Sequence, residues 1–278
     1  MRLSSSRDVF HARLVLHSSS VLYGLVVRNN EGAGISNCHG IHRRIELTNN
    51  TTNASALGFI GLGIKCVDEA VVEHSYVHET QGSGIWCDEE CNDTSLNVFH
   101  VNFNVVVNTG REGIRWEKVG AESSAGEALI EHNEVHGNGK LETRSGIGAR
   151  DAQNALIWEN VFGAKKIASV AYSKNGWGAI RASDSGRSDR PNLFNIDIVN
   201  NTLGEEIIKG CELPDTVVAC SGNAPWRGAL AESTSLLQRQ ASCGCRCRPP
   251  LLRGQRAPRG SPSTMLVARR SANCVSAD

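Results

Sequence analysis

Seven charged or aromatic residues fall at matching positions of the sequence and together could form one reactive surface. Guanidinium groups bind carboxylates in bidentate geometry, and an exposed indole offers a flat face to a sugar ring. Carboxylates can transfer protons or bind Ca²⁺ through hard oxygen ligands. The candidate catalytic residues are Lys65, Asp88, Arg115, Glu117 and Arg150. Trp86 and Arg181 are the predicted substrate contacts, and Asp88 and Glu117 are also candidate Ca²⁺ ligands.

These residues become neighbours only through an internal repeat, and the sequence contains one. The segment Glu73–His78 returns at Glu131–His136, which is 58 residues later. Val106 lies midway, so Val77, Val106 and Val135 are 29 residues apart. Because a fixed step of this length is typical of repeat architectures, we interpret the body of the chain as a stack of coils.

Each repeat contains short runs of alternating, β-branched residues between Asn and Gly turns, as in Val71–His74 and Gly84–Asp88. The apolar spacing of a long amphipathic helix is missing from the sequence. A short strand cannot bury its apolar face alone, so the repeats must stack, with equivalent strands parallel and about 4.8 Å apart. We therefore predict an all-β fold, a right-handed parallel β-helix (β-solenoid) of about seven coils over residues 1–224.

Stacking the repeats through the Ile of each Gly-Ile pair assigns a face to every strand residue. The predicted inward residues are Ile64, Ile85, Ile114, Ile147 and Ile180, with four extra residues inserted before Gly146. The predicted outward column is Lys65, Trp86, Arg115, Gly148 and Arg181, beside a second column that holds Asp88, Glu117 and Arg150. Such columns suit either a ligand groove or a plain solvated face. An exposed Trp86 favours the groove, because a bare surface rarely carries tryptophan.

The motif N-x-V … G-x-G-I, present in Asn133–Val135 and Gly82–Ile85, resembles the right-handed parallel β-helix repeat family of the pectate-lyase-like superfamily. The resemblance covers residues 14–223. It implies a carbohydrate-active protein in an extracellular or cell-surface location. It does not imply one reaction, because this scaffold carries lyases, hydrolases, epimerases and non-catalytic binders.

No active-site motif of that family is intact in the sequence. Cys38-His39-Gly40 and Arg44-Ile45-Glu46 each lack the functional partner found in the segments of polygalacturonase-like hydrolases. Trp86-Cys87-Asp88 lacks the His that follows in pectate lyases. Whether the protein is an enzyme therefore stays open among a polysaccharide lyase, an epimerase, a glycoside hydrolase and a non-catalytic protein.

Two hypotheses follow from these residues. In the first, a polyuronate lyase or epimerase uses Arg115, Arg150 and Arg181 to bind the sugar carboxylate. Lys65 or a nearby His then removes the adjacent proton, Trp86 stacks on a ring, and the two carboxylates of the second column bind Ca²⁺ or shuttle protons. In the second, the same groove binds a glycan without turnover, as in a cell-surface solenoid. In both, the partner is an acidic polysaccharide, the protein is a monomer, and no cofactor besides Ca²⁺ is indicated.

The net charge of zero conceals two unlike segments. Residues 225–278 hold nine Arg, no Lys and two acids, a net charge of +7, whereas the preceding residues carry −7. The segment also contains five of the seven Pro and four of the ten Cys. We predict a boundary between residues 224 and 225, followed by a disordered tail or a gene-model artefact. A nucleic-acid partner would rest on this tail alone and is not favoured.

Three features bear on the compartment. No run of 18 apolar residues occurs, which argues against a membrane-spanning helix. Met1–Leu25 lacks the continuous apolar stretch of a signal peptide, so the protein is not secreted or its true start is missing. Cys66 and Cys87 are predicted to stack, while Cys87–Cys91 and Cys211–Cys220 bracket short loops. Disulfides at these positions would indicate an oxidising compartment, and buried thiols are the alternative.

Overall fold

The computed structural model describes residues 2–3, 21–29, 32–50, 62–88, 98–118, 127–141, 144–167, 169–188 and 192–225. Within these ranges the protein is all-β, with strands β1 to β21 and no helix. The chain divides into two units, Met1–Ser242 and Cys243–Asp278, and the second lies outside the described residues. The predicted tail, residues 225–278, also lies outside them except for Pro225.

Most strands form a parallel β-helix with three faces, which confirms the predicted fold class. Sheet A consists of β1 (Arg2–Leu3), β3 (Val26–Arg28), β5 (Glu46–Thr48), β7 (Tyr76–His78), β10 (Val105–Val107) and β13 (Glu134–His136). Sheet B contains β8 (Ile85–Cys87), β11 (Ile114–Glu117), β14 (Ile147–Arg150), β18 (Ile180–Ser183) and β20 (Ile208–Lys209). Sheet C contains β2 (Val21–Tyr23), β9 (Val98–Asn102), β12 (Glu127–Glu131), β15 (Gln153–Trp158), β19 (Phe194–Val199) and β21 (Val218–Ser221). Two longer strands, β4 (Ile35–Arg43) and β6 (Ile64–Glu73), run through sheets B and C and join them.

The register of sheet B confirms the predicted stacking of the repeats. Its inward ladder consists of Ile35, Ile64, Ile85, Ile114, Ile147, Ile180 and Ile208. This ladder has one member from each of seven coils, as expected. In sheet A, Val77, Val106 and Val135 pair in register, which confirms the step of 29 residues.

The core lies inside the coils and is built from aliphatic side chains of all three sheets. A second inward column of sheet B, two residues after the isoleucines, is buried throughout: Cys66, Cys87, Trp116, Ala149 and Ala182. Trp116 stacks on Phe99 with ring centroids 5.4 Å apart. Its Nε1 donates to the carbonyl oxygen of Gln153 at 3.1 Å, which satisfies the indole inside an otherwise apolar core.

Buried asparagines hold the turns between sheets C and A, as the sequence predicts. The first polar ladder consists of Asn104, Asn133, Asn160, Asn201 and Asn223. From Asn133 onward, each Oδ1 accepts the backbone N–H of the preceding asparagine at 2.9–3.0 Å. The Oδ1 of Asn104 accepts the backbone N–H of Ser75 at 2.9 Å. Each Nδ2 donates to a carbonyl of the coil before it. The left-handed position is the residue before the asparagine, as at Phe103 and His132 with φ of 55° and 52°, so the amide itself is free to bond the backbone.

A second polar ladder lines the turns between sheets A and B. It consists of Thr109, Asn138, Asn175 and Glu206. The carboxylate of Glu206 accepts both the backbone N–H of Asn175 at 2.8 Å and its Nδ2 at 3.1 Å. This ladder therefore ends on a carboxylate, whereas the first is made of amides throughout.

One antiparallel hairpin lies on the outside of sheet A. It consists of β16 (Lys165–Ile167) and β17 (Val170–Tyr172). Ile167 and Tyr172 form a buried apolar cluster with Val105 and Val107, and the Tyr172 hydroxyl lies 2.9 Å from that of Tyr76. The hairpin thus covers part of sheet A, whereas the predicted site lies on sheet B.

Candidate functional site

The seven predicted site residues all lie on strands of sheet B or directly after them. Register pairing gives an outward column of Lys65, Trp86, Arg115, Gly148, Arg181 and Lys209. The second outward column pairs Glu117 with Arg150 and Arg150 with Ser183. Both columns agree with the stacking expected from the sequence. Lys209 extends the first column by one coil that the sequence interpretation did not include.

Trp86 is not an exposed stacking platform, so that part of the prediction is wrong. Only 5% of its surface is exposed. The Nζ atom of Lys65 and the Cζ atom of Arg115 each lie 5.1 Å from its ring centroid. An outward position on a strand does not ensure exposure, because the cations on the two neighbouring strands lie against the indole. Trp86 therefore stabilises these cations through cation–π contacts and is closed to a sugar ring.

Carboxylates neutralise both cations beside Trp86. Asp88 lies 3.5 Å from the ammonium of Lys65, and Glu117 lies 2.5 Å from Nη2 of Arg115. Arg115 and Glu117 are 4% and 3% exposed. We call the set Lys65, Trp86, Asp88, Glu112, Arg115 and Glu117 the Trp86 cluster. Its charges are compensated and mostly withdrawn from solvent, so the predicted roles of Lys65 as a base and Arg115 as a carboxylate clamp gain no support from its geometry.

Glu112 joins this cluster to a second group of cations. Its Oε2 lies 3.7 Å from Nη1 of Arg115, and its Oε1 lies 3.6 Å from Nη1 of Arg144. The hydroxyl of Ser83 donates to the same carboxylate at 3.4 Å. Sequence reasoning missed Glu112 and Arg144 because both lie in turns before the strands of sheet B. Their proximity to the Gly-Ile pairs was the available signal.

The second group surrounds Trp177, which lies in the turn before β18. The Cζ atom of Arg181 lies 3.8 Å from the Trp177 ring centroid, and the Nζ atom of Lys209 lies 3.6 Å from it. The backbone N–H of Trp177 donates to the carbonyl of Arg144 at 2.9 Å, which fixes the turn beneath the ring. Along the described part of the chain, no ion pair joins Arg181 or Lys209 to a carboxylate.

We call the set Arg144, Arg150, Trp177, Arg181 and Lys209 the Trp177 cluster. Partial burial lowers the pKa of Arg181, and the positive charges of Arg150 and Arg144 lower it further, while Glu112 opposes them. Arg150 keeps 40% of its side chain exposed and contacts Asp151 at 3.8 Å. Four cations thus lie at one end of sheet B, and their mutual repulsion would be relieved by a bound anion.

The predicted Ca²⁺ site does not fit this geometry. Asp88 and Glu117 are each engaged by a cation of the Trp86 cluster. In the ranges that the structure describes, no group of three or more His, Cys, Asp or Glu side chains is arranged to hold a metal ion. Ca²⁺ prefers six to eight oxygen ligands, and two carboxylates that are already paired with cations do not supply such a site.

The cysteines agree with the sequence expectation in part. Cys66 pairs with Cys87 in the sheet register, as predicted. Cys66 keeps its thiol, while Cys87 belongs to a disulfide. Cys91 lies outside the described residues. Cys211 and Cys220 form a disulfide around their short loop, with Cα atoms 5.7 Å apart.

Comparisons with known proteins identify no relative of this chain. No family model, curated protein or solved structure matches the chain. Among the described residues, no helix is long and apolar enough to cross a membrane.

Proposed function

We propose that the protein binds an acidic polysaccharide through the Trp177 cluster. The observation that carries the proposal is the contact of Arg181 and Lys209 with one indole, without a carboxylate in ion-pair distance in the described residues. A cation–π contact orients a cation without neutralising it. The two positive charges are therefore held in place, with Glu112 and Glu212 acting on them only at longer range than an ion pair, and they are available to an anionic ligand.

The arrangement of the cations favours a repeating anion over a single small one. Arg181 and Lys209 pair on adjacent strands, which lie about 4.8 Å apart. Arg150 lies one coil earlier, on the strand paired with that of Arg181. Cations therefore follow the axis of the solenoid, and a polyuronate presents a carboxylate on every sugar along its own axis. Guanidinium forks suit such carboxylates.

Binding without turnover is the form of the proposal that the site geometry favours. The predicted base Lys65 lies 3.5 Å from Asp88, and Glu117 is buried against Arg115. A general acid or base must reach the proton that it transfers, and these groups face each other instead. The alternative, a lyase or epimerase, would have to use groups of the Trp177 cluster. A lyase would be recognised by the unsaturated uronate that it produces.

Two further properties belong to the same proposal. The disulfide between Cys211 and Cys220 and the disulfide at Cys87 support an oxidising compartment, as an extracellular or cell-surface protein would meet. The resemblance of the repeats to the pectate-lyase-like superfamily supports a carbohydrate ligand. Both agree with an extracellular, glycan-binding solenoid.

The test is binding of the full-length chain to polygalacturonate, measured by isothermal titration calorimetry at low and at physiological salt. We expect Arg181→Ala to weaken binding by a factor of about 10 to 100, because one charge-assisted contact contributes about 1.5–3 kcal/mol. The matched control is Arg28→Ala, which removes the same charge from an exposed residue of β3 and should leave affinity unchanged. Equal losses in both variants, or no binding at low salt, would refute the site. Ultraviolet absorbance of unsaturated uronate and new reducing ends, followed together, would reveal a lyase or a hydrolase.

A further inference from the structure

A groove of 350 Å³ lies on the outer face of sheet C, away from all residues of the two clusters on sheet B. Its floor contains the half-buried side chains of Leu129 and Leu156. The sheet register places His100, Leu129, Leu156 and Asp197 in one row across four neighbouring strands. The apolar floor is therefore bounded by an imidazole at one end and a carboxylate at the other.

Polar side chains form the rim of this groove. Glu127 and Asp197 are exposed carboxylates at its wall. Asn154 and Asn195 both have left-handed backbones, with φ of 52° and 54°. The Nδ2 of Asn195 donates to Oδ1 of Asn154 at 2.8 Å. This bond holds the two amides side by side, and each retains further hydrogen-bonding capacity.

We infer that this groove binds a neutral sugar unit of a glycan. A pyranose ring has a C–H face that can pack on the two leucines, and a rim of hydroxyls that can donate to carboxylates and bond to amides. A volume of 350 Å³ falls within the range of small-molecule clefts, roughly 300–1,000 Å³. The combination of an apolar floor with a few convergent polar groups is the usual composition of such a site.

The charge of the rim decides between sugar classes. The carboxylates of Glu127 and Asp197 would repel a uronate, since like charges brought close together disfavour each other. A metal ion is also disfavoured, because within the described residues the carboxylates and His100 do not form a group of three metal-ligating side chains. The groove therefore selects against the ligand that the Trp177 cluster would attract. The inference stands on sheet C alone and does not depend on the function proposed for sheet B.

The experiment titrates the full-length chain with cellohexaose, xylohexaose and mannohexaose, and with hexagalacturonate for comparison. We expect millimolar or tighter binding of at least one neutral hexasaccharide. Asp197→Asn should weaken that binding about tenfold, and Leu156→Arg, which fills the groove, should abolish it. Both substitutions are at outward positions, so circular dichroism should show an unchanged fold.

Arg181→Ala serves as the control on the other face and should leave neutral-sugar binding unchanged, while Asp197→Asn should leave binding of hexagalacturonate unchanged. The two proposals can therefore fail separately. No binding of any neutral hexasaccharide, or binding that both groove variants retain, would overturn the inference. Binding of hexalysine that is lost in Asp197→Asn, without neutral-sugar binding, would also overturn it and assign the groove to a basic peptide.

Discussion

The two tryptophan clusters of sheet B contain the same kinds of residue but differ in how the charges of their cations are compensated. In each, an indole contacts two cations that belong to the outward column of the sheet. Around Trp86, Lys65 and Arg115 form ion pairs with carboxylates. Around Trp177, Arg181 and Lys209 contact the indole without an ion pair in the described residues. The difference lies in the second outward column, which places Glu117 beside Arg115 but Arg150 and Ser183 beside Arg181. The first outward column thus supplies the cations, and the second outward column determines whether a carboxylate pairs with them.

The largest expected effect comes from removing the buried indole. Trp86→Ala should lower the free energy of unfolding by about 3–5 kcal/mol, the cost of truncating a buried tryptophan. The matched change Trp177→Ala should cost only about 1 kcal/mol, because this ring is half-buried rather than buried, but it should weaken polygalacturonate binding. Urea denaturation of both variants checks the first effect and calorimetry the second. Similar stability losses in the two variants would remove the distinction between the clusters.

Breaking the buried ion pair should produce the next largest effect. Within the described ranges, Glu117→Ala leaves the guanidinium of Arg115 with the more distant Glu112 as its ion-pair partner, at 3.7 Å. Removal of one partner of a buried pair costs about 3–5 kcal/mol, and we expect the lower end because Glu112 remains. The Tm from differential scanning calorimetry is the measurement. The control, Asp215→Ala, removes an exposed carboxylate and should leave Tm almost unchanged.

A single substitution should make the Trp177 cluster resemble the Trp86 cluster by adding a carboxylate beside its cations. Gly148 lies in the outward column between Arg115 and Arg181, and an added Cβ would lie 3.0 Å from Cγ of Glu112, a contact that a small side-chain shift relieves. Gly148→Glu would place a carboxylate among the cations, so we expect about tenfold weaker polygalacturonate binding, roughly 1.4 kcal/mol. Gly148→Gln has the same shape without the charge. If both variants bind equally, charge is not what distinguishes the clusters.

The smallest expected effect concerns Glu206, which precedes the strand that carries Lys209. Burial raises the pKa of this carboxyl group, partly offset by its hydrogen bonds from Asn175. The folded protein therefore holds the Glu206 proton more tightly than the unfolded chain. This contribution to stability is fully present below the ordinary glutamate pKa and is lost as the pH rises from there through the raised pKa of the folded protein. Glu206→Gln keeps an acceptor for the ladder and removes the titration.

The free energy of unfolding of Glu206→Gln, relative to the unmodified protein, should thus increase between pH 4 and pH 7. Urea denaturation at several pH values measures this change. Glu205→Gln, at the exposed neighbouring position, should show no such trend. A constant difference across this pH range would contradict the assigned cause.

The sequence predicts the fold more completely than it predicts the candidate site. The register of the strands follows the repeat period, whereas the exposure of an individual side chain does not. The spacing of Gly-Ile pairs places Ile64, Ile85 and Ile114 on one inward ladder, and the asparagine spacing places the turn amides. The same alternation correctly turns Trp86 outward. It cannot indicate how closely the side chains of neighbouring strands cover that indole, so Trp86 is buried where exposure was expected. Trp177 lies in a turn outside the strand pattern, and no periodic signal marks it.

The first asparagine ladder also bears on how such a protein can change length over evolution. Asn104, Asn133 and Asn160 each bond the coil before and the coil after through the same pair of amide contacts. Since every joint is alike, duplication or loss of the intervening 27 or 29 residues would reproduce an existing joint and require no new turn chemistry. A genetic event of that size would lengthen or shorten sheet B by one strand, and with it the outward column of side chains that the sheet presents.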